Sequence, residues 1–172
     1  MSVINKIKMQ ESYSIVTIDK ENYNEVATIY KEGIATNMAT FETVVPDWET
    51  WNNKYLSIGR IGLKENDKIV AWGSLAATSK REVYKGVVEV SVYVKAAERG
   101  NGLGEKILKE LIAISEKNNI WSLQAGVFRE NEASIYLHKK CGFRVIGFKE
   151  KIAQLYGVWK DNVLLEKRSK ID

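Results

Sequence analysis

The chain has 172 residues, enough for one well-buried core and too few for two ordinary domains. With 45% hydrophobic and 28% charged residues it reads as a soluble globular protein, and no apolar run approaches the roughly 18 residues a membrane-spanning helix requires. The formal net charge of +4 is scattered in short pairs such as Lys80-Arg81 and Lys139-Lys140. Without a basic stripe interleaved with aromatics, a small anionic ligand is a better match than nucleic acid.

Residues 1–12 lack a long apolar stretch ending in a small-residue cleavage site, so they read as a short N-terminal extension, with residues 13–172 forming one domain. The only cysteine, Cys141, has no internal disulfide partner, and one cysteine with one histidine makes no ordinary structural zinc site. These counts fit a reducing cytoplasm and a protein without a metal.

Tyr13 to Ile18 alternates like a strand, and Asp19 is placed to cap a helix over Glu21 to Ala35 with Val26, Ile29, Tyr30 and Ile34 as its apolar stripe. The segment Thr36 to Pro46 has no clear period yet carries Met38, Phe41, Val44 and Val45, which suits a loop lining a pocket. Asp47 starts a short helix to about Leu56, where Trp48, Trp51 and Tyr55 recur at core spacing. Arg60 to Lys64 and Ile69 to Leu75 form a hairpin around the turn-forming Asn66-Asp67 pair. Val87 to Val94 is the strongest strand, with its valines on one face and Glu89, Ser91 and Tyr93 on the other. An amphipathic helix from Gly104 to about Lys117, a strand Trp121 to Val127, a helix Glu132 to Lys140 and strands at about Val145 to Ile152 and Asn162 to Lys167 follow. Strands before and after two helices imply a mixed α/β sheet.

The most informative stretch is Arg99-Gly100-Asn101-Gly102-Leu103-Gly104, between a strong strand and a helix. Glycines let the backbone turn tightly and present amides to a ligand, while the helix N-terminus favours negative charge. A nucleotide-hydrolysing loop would end in Gly-Lys-Ser/Thr, where the chain has Gly104-Glu105-Lys106, and a dinucleotide fingerprint would need glycine where Glu105 stands. A pyrophosphate site is favoured over a turn without a ligand.

Arg-x-x-Gly-x-Gly after a strand resembles the coenzyme-A pyrophosphate loop of the GNAT acetyltransferase superfamily. Asn131-Glu132-Ala133-Ser134-Ile135-Tyr136-Leu137-His138, followed by Gly142-Phe143, resembles that superfamily's next motif. Ala39-Thr40-Phe41-Glu42-Thr43, Glu89 to Val94 and Gly157-Val158-Trp159-Lys160-Asp161 are similar to the phosphinothricin and methionine sulfoximine N-acetyltransferases. The resemblance implies a GNAT fold, with a mixed, mostly antiparallel sheet of about six to seven strands and about four helices. It implies acetyl-coenzyme A as co-substrate, a small amine as acceptor and a homodimer. Peptide N-termini, polyamines or aminoglycosides as acceptors, and a non-catalytic coenzyme-A sensor, are the alternatives.

Acetyl transfer to an amine requires a neutral nitrogen, so a base is needed. Glu89, a carboxylate within an otherwise apolar strand, is the leading general base, since burial raises a carboxyl pKa towards the useful range. His138, the only histidine, suits a proton relay as either acid or base. The amides of Gly100, Asn101, Gly102, Leu103, Gly104 and Glu105, with the charge of Arg99, suit the pyrophosphate. By resemblance, Val92, Tyr93 and Val94 offer main-chain groups to the pantetheine arm and Asn131 bonds the same arm, although Asn131 is also a good helix cap. An acceptor carboxylate calls for a cation. Arg81 is the leading choice beside Lys85, and Arg81 with Tyr84 matches the Arg-x-x-Tyr spacing of the phosphinothricin branch. Phe41 closes the pocket and Tyr93 faces the acceptor.

Overall fold

The structure is a computed structural model that describes residues 13–170, so the reading of residues 1–12 as an extension lies outside the described residues. Its elements run β1 (Ser14–Thr17), α1 (Tyr23–Ala35), α2 (Trp48–Lys54), β2 (Ile61–Glu65), β3 (Lys68–Ala77), β4 (Val87–Val94), α3 (Leu103–Lys117), β5 (Ser122–Phe128), α4 (Glu132–Lys140), β6 (Arg144–Leu155) and β7 (Val158–Arg168). The strands form one seven-stranded sheet in the order β1-β2-β3-β4-β5-β7-β6. All neighbours are antiparallel except β4 and β5. This is the mixed, mostly antiparallel sheet expected from the sequence.

Each face of the sheet has its own core, because side chains alternate along each strand. Val88 and Val90 of β4 pack with Ile107, Leu108 and Leu111 of α3 on one face. On the other, Tyr23, Val26, Ile29 and Tyr30 of α1 join Trp51, Tyr55 and Trp72, with Tyr93 packed against them. Tyr93 stacks on Trp72 with ring centroids 4.8 Å apart and planes 13° from parallel. Gly33 makes room for it: a Cβ there would fall 2.6 Å from the Tyr93 ring.

Local chemistry explains most boundaries. Asp47 caps α2, its Oδ1 accepting from the Thr50 amide at 2.8 Å. Asn66 and Asp67 take φ values of 48° and 60°, as a tight hairpin turn demands. Asp19, expected to cap α1, instead accepts from the Glu21 and Asn22 amides at 2.9 and 3.1 Å one turn upstream. Asn22 occupies the cap position without a side-chain bond to the helix. An aspartate bonding its own downstream amides forms a turn as readily as a cap.

Where β4 begins, the Gly86 carbonyl accepts from the amides of Trp121 and Ser122 at 2.9 and 3.0 Å. A Cβ on Gly86 would fall 2.1 Å from the Trp121 ring. At the far edge β6 pairs with β7 alone, and past the β5–β7 ladder the two run on as a short two-stranded arm; together this edge and arm expose Val145, Ile146, Phe148, Ile152, Val158 and Trp159.

Candidate active site

The site lies where the sheet splits. β4 and β5 pair only through Val87 with Ser122, Val88 with Leu123 and Glu89 with Gln124. Past Glu89 the two parallel strands diverge, so Val90 to Val94 lie beyond the ladder on the β5 side. A cavity of about 200 Å³ occupies the break, lined by Glu89, Ser91, Tyr93, Phe41, Lys54, Tyr55, His138 and Asn162 among others. That volume is below the ~300–1,000 Å³ of drug-sized ligand pockets, so it suits a small acceptor.

Glu89 and His138 approach from opposite faces. Glu89 shares its β4 face with Tyr93, on the α1 side, whereas His138 projects from α4 and meets Phe143 of the α3-side core edge-on at 5.1 Å. Glu89 is exposed to the cavity, yet the protein around it removes much of its hydration. That desolvation outweighs the opposing pull of Lys54 and Lys149 and holds the carboxyl above its ordinary range.

His138 is 4% exposed, and burial lowers its pKa against the raising effect of its bond to Ser134. Its Nδ1 is 2.7 Å from the Ser134 carbonyl oxygen, which only accepts, so Nδ1 carries the proton and Nε2 is left as an acceptor. Burial also pushes the Tyr30 and Tyr93 phenols up, keeping them neutral, and Thr40 bonds to both. Tyr55 Oη lies 3.3 Å from Ser91 Oγ. Phe41 packs edge-on against Phe128 at 4.6 Å, and both rings line the cavity.

A longer cleft of about 440 Å³ adjoins this cavity, sharing Ala39, Val92, Asn131 and Ser134 with it. It runs past Val94 to Arg99, Gly100, Gly102, Leu103, Gly104 and Glu105. Gly100 and Gly102 have φ values of 84° and 77°, and a Cβ on either would meet nothing within 4 Å. Packing therefore does not demand glycine there; the left-handed backbone does, and the open space above suits a ligand that approaches the main chain closely. Gly102 is the N-cap of the 15-residue α3 without a side-chain cap, leaving first-turn amides for an anion. Asn101 is exposed and does not line the cleft. Glu105 is held by Lys109 and Lys140 at 2.6 and 2.7 Å, which lower its pKa to about 2.

Asn131 serves two structural ends. Its Oδ1 accepts from the Ser134 amide at 3.2 Å, capping α4, and its Nδ2 donates to the Met38 carbonyl at 3.1 Å, tethering the Thr36–Pro46 loop.

Three expected acceptor residues are not brought to this cavity. Arg81, Tyr84 and Lys85 belong to a 3₁₀ turn at Glu82–Tyr84 and its flanks. The Arg81 guanidinium lies over the Tyr84 ring at 5.3 Å and Lys85 pairs with Glu82 at 2.8 Å. Tyr84 lines a separate polar cleft with Thr78, Ser79, Gln124, Glu166 and Arg168. Conversely, Lys54, Tyr55, Ser91 and Asn162, to which the sequence assigns no functional role, line the cavity. Tyr55 belongs to a stripe that reads as core, and Lys54 follows no motif.

The sequence model of the acetyltransferase (GNAT) domain matches residues 15–164. YwnH of Bacillus subtilis, provisionally named a phosphinothricin acetyltransferase, is 33% identical over 138 residues, covering 77% of this chain and 84% of that one. The L-methionine sulfoximine/L-methionine sulfone acetyltransferase of Pseudomonas paraeruginosa is 31% identical over 99 residues, 58% of each chain. Among solved structures, yncA of Salmonella typhimurium, provisionally assigned as an acetyltransferase and bound to its cofactor acetyl-CoA, is 25% identical. It superposes with a TM-score of 0.83 over 91% of this chain and 94% of that one. No described helix is long and apolar enough to cross a membrane, and no described group of histidine, cysteine or carboxylate side chains is arranged to hold a metal. With a split sheet, an open glycine turn at a helix start and a family match across most of its length, the chain belongs to the GNAT acetyltransferases and takes acetyl-coenzyme A as its acetyl donor.

Proposed function

We propose that this enzyme acetylates the α-amine of a small amino-acid-like acceptor, of the phosphinothricin, methionine sulfoximine or methionine sulfone type, by direct transfer with Glu89 as general base. The observation that carries the reading is the position of Glu89 at the last β4–β5 pair, lining the acceptor cavity, which the longer cleft joins at Ala39, Val92, Asn131 and Ser134.

Bound acetyl-coenzyme A supplies the thioester acetyl group. The amides of Gly100 to Glu105 and the Arg99 charge hold its diphosphate, and main-chain groups of Val92 to Val94, with Asn131, flank its arm. Glu89 takes one proton from the acceptor ammonium, directly or through a water, and frees the nitrogen lone pair to form the amide bond. His138, neutral and with Nε2 as an acceptor, receives the second proton released as that bond forms and passes it to the departing sulfur. Cys141 is buried and its thiol is pushed up chiefly by desolvation, which suits packing and not nucleophilic catalysis. The same reading takes the enzyme as a homodimer, supported by the apolar side chains exposed along the β6–β7 arm.

The test is release of free thiol from acetyl-coenzyme A with methionine sulfoximine, methionine sulfone, phosphinothricin, common amino acids and a polyamine. Turnover of the amino-acid-like acceptors is expected. Turnover of the polyamine alone overturns the reading, as does binding of the donor without turnover of any amine.

A further inference from the structure

With Arg81 and Lys85 outside the cavity, another cation must face the acceptor's acidic group. Lys54 is the one side chain with a full positive charge among the described residues that line the cavity, and Glu89 is the one carboxylate. Lys54 is the last residue of α2, a helix fixed by the Asp47 cap and by fully buried Trp51. Its Nζ lies over the neighbouring Tyr55 ring, 5.3 Å from the centroid, so the ammonium is directed by packing.

The ammonium is lightly held. Its ion pair, with Glu42 of the Thr36–Pro46 loop, is 3.7 Å long, and both side chains are about half exposed, 45% and 51%. A long, exposed pair of this kind is weak and readily displaced by a second carboxylate. Lys54 is also near enough to Glu89 to oppose the effect of burial on it, so the two opposite charges address the same small volume.

We propose that Lys54 is the carboxylate anchor of the acceptor pocket, taking the acidic group next to the amine in place of Glu42, while Glu89 takes the ammonium. The acceptor class is then a zwitterion that carries amine and carboxylate on the same carbon. A simple amine leaves Lys54 without this partner, and a polyamine sets a second cation against it. The proposal rests on the acceptor reading above and narrows it.

The experiment compares kcat/KM for methionine sulfone with that for the primary amine lacking only its carboxyl group. It uses the wild-type chain, Lys54→Met, Lys54→Gln, Lys54→Arg and Arg81→Gln. The wild type is expected to prefer the carboxylated acceptor. Both neutral variants should lower that preference about 10- to 100-fold, chiefly through KM, and arginine should restore most of it. Acetyl-coenzyme A affinity measured by calorimetry reports the folded state of each variant, and glutamine serves where methionine fails to fold. An unchanged preference in the neutral Lys54 variants, or its loss only in Arg81→Gln, overturns the proposal and leaves the acceptor reading standing. No wild-type turnover of any amino-acid acceptor overturns both.

Discussion

Two side chains at the split are held away from their aqueous proton affinities in opposite senses. Desolvation raises Glu89, so this carboxyl loses its proton as pH rises through a midpoint above the ordinary ~4.3 of glutamate, and under the proposed mechanism the base is gained there. The acidic limb of a kcat/KM profile is expected at that raised midpoint. Glu89→Gln should remove the limb and lower kcat by about 10²- to 10⁴-fold while acetyl-coenzyme A affinity changes little. Desolvation lowers His138, and the sign of its contribution to stability follows. The unfolded chain binds a proton near pH 6.5, whereas the folded chain binds it only at lower pH. Stability from this residue is therefore fully present above about pH 6.5 and is lost as pH falls towards the lower, folded value. Chemical denaturation of wild type and His138→Gln between pH 5 and 8 checks this: the wild type should weaken more steeply on the acid side. The Glu89 contribution has the opposite sign, since its folded state holds a proton longer than its unfolded one: stability from Glu89 is fully present below the ordinary ~4.3 of glutamate and is lost as pH rises through its raised folded value.

At the scale of elements, the glycine turn and α4 carry most of the donor cleft, and both are written in local chemistry. Asn131→Ala removes the α4 cap and the bond to Met38 together. A stability loss of about 1 kcal/mol is expected for the cap, measured by denaturant titration, with faster amide exchange at Ser134 and in the Met38 to Phe41 segment. The elements with strong periodicity or turn chemistry were legible: β4, α3, α4, the β2–β3 hairpin and the Asp47 cap. The ends of β6 and β7 were not. The strands run over Arg144–Leu155 and Val158–Arg168, longer than the expected Val145 to Ile152 and Asn162 to Lys167, because the arm extends off the core. Exposure there is not confined to one face, so no alternation marks the pairing. Glu89 and the glycine turn stand out in the sequence for a related reason: a lone carboxylate in a valine strand and three closely spaced glycines conflict with local preference. Lys54 breaks no local rule, since a lysine at a helix C-terminus is ordinary, and only the tertiary fold turns it towards Glu89.

For the molecule as a whole, the exposed arm bears on assembly. Phe148 and Trp159 are 50% and 54% exposed on adjacent strands of the sheet edge, an arrangement that isolated chains usually cover. The double substitution Phe148→Glu, Trp159→Glu should convert a dimer to a monomer in sedimentation velocity. A wild-type chain that sediments as a monomer at all concentrations would remove the homodimer from the reading.

The width of the whole crevice is decided at its closed end. Two parallel strands that share three residue pairs behave like the blades of shears, and Gly86 with the indole of Trp121 is their pivot. Because the ring rests directly on a backbone without a side chain, even one added methyl group pries the strands apart below Glu89. A disturbance one residue outside the ladder's first pair, Val87 with Ser122, is thereby expected to reach the cavity that both strands line.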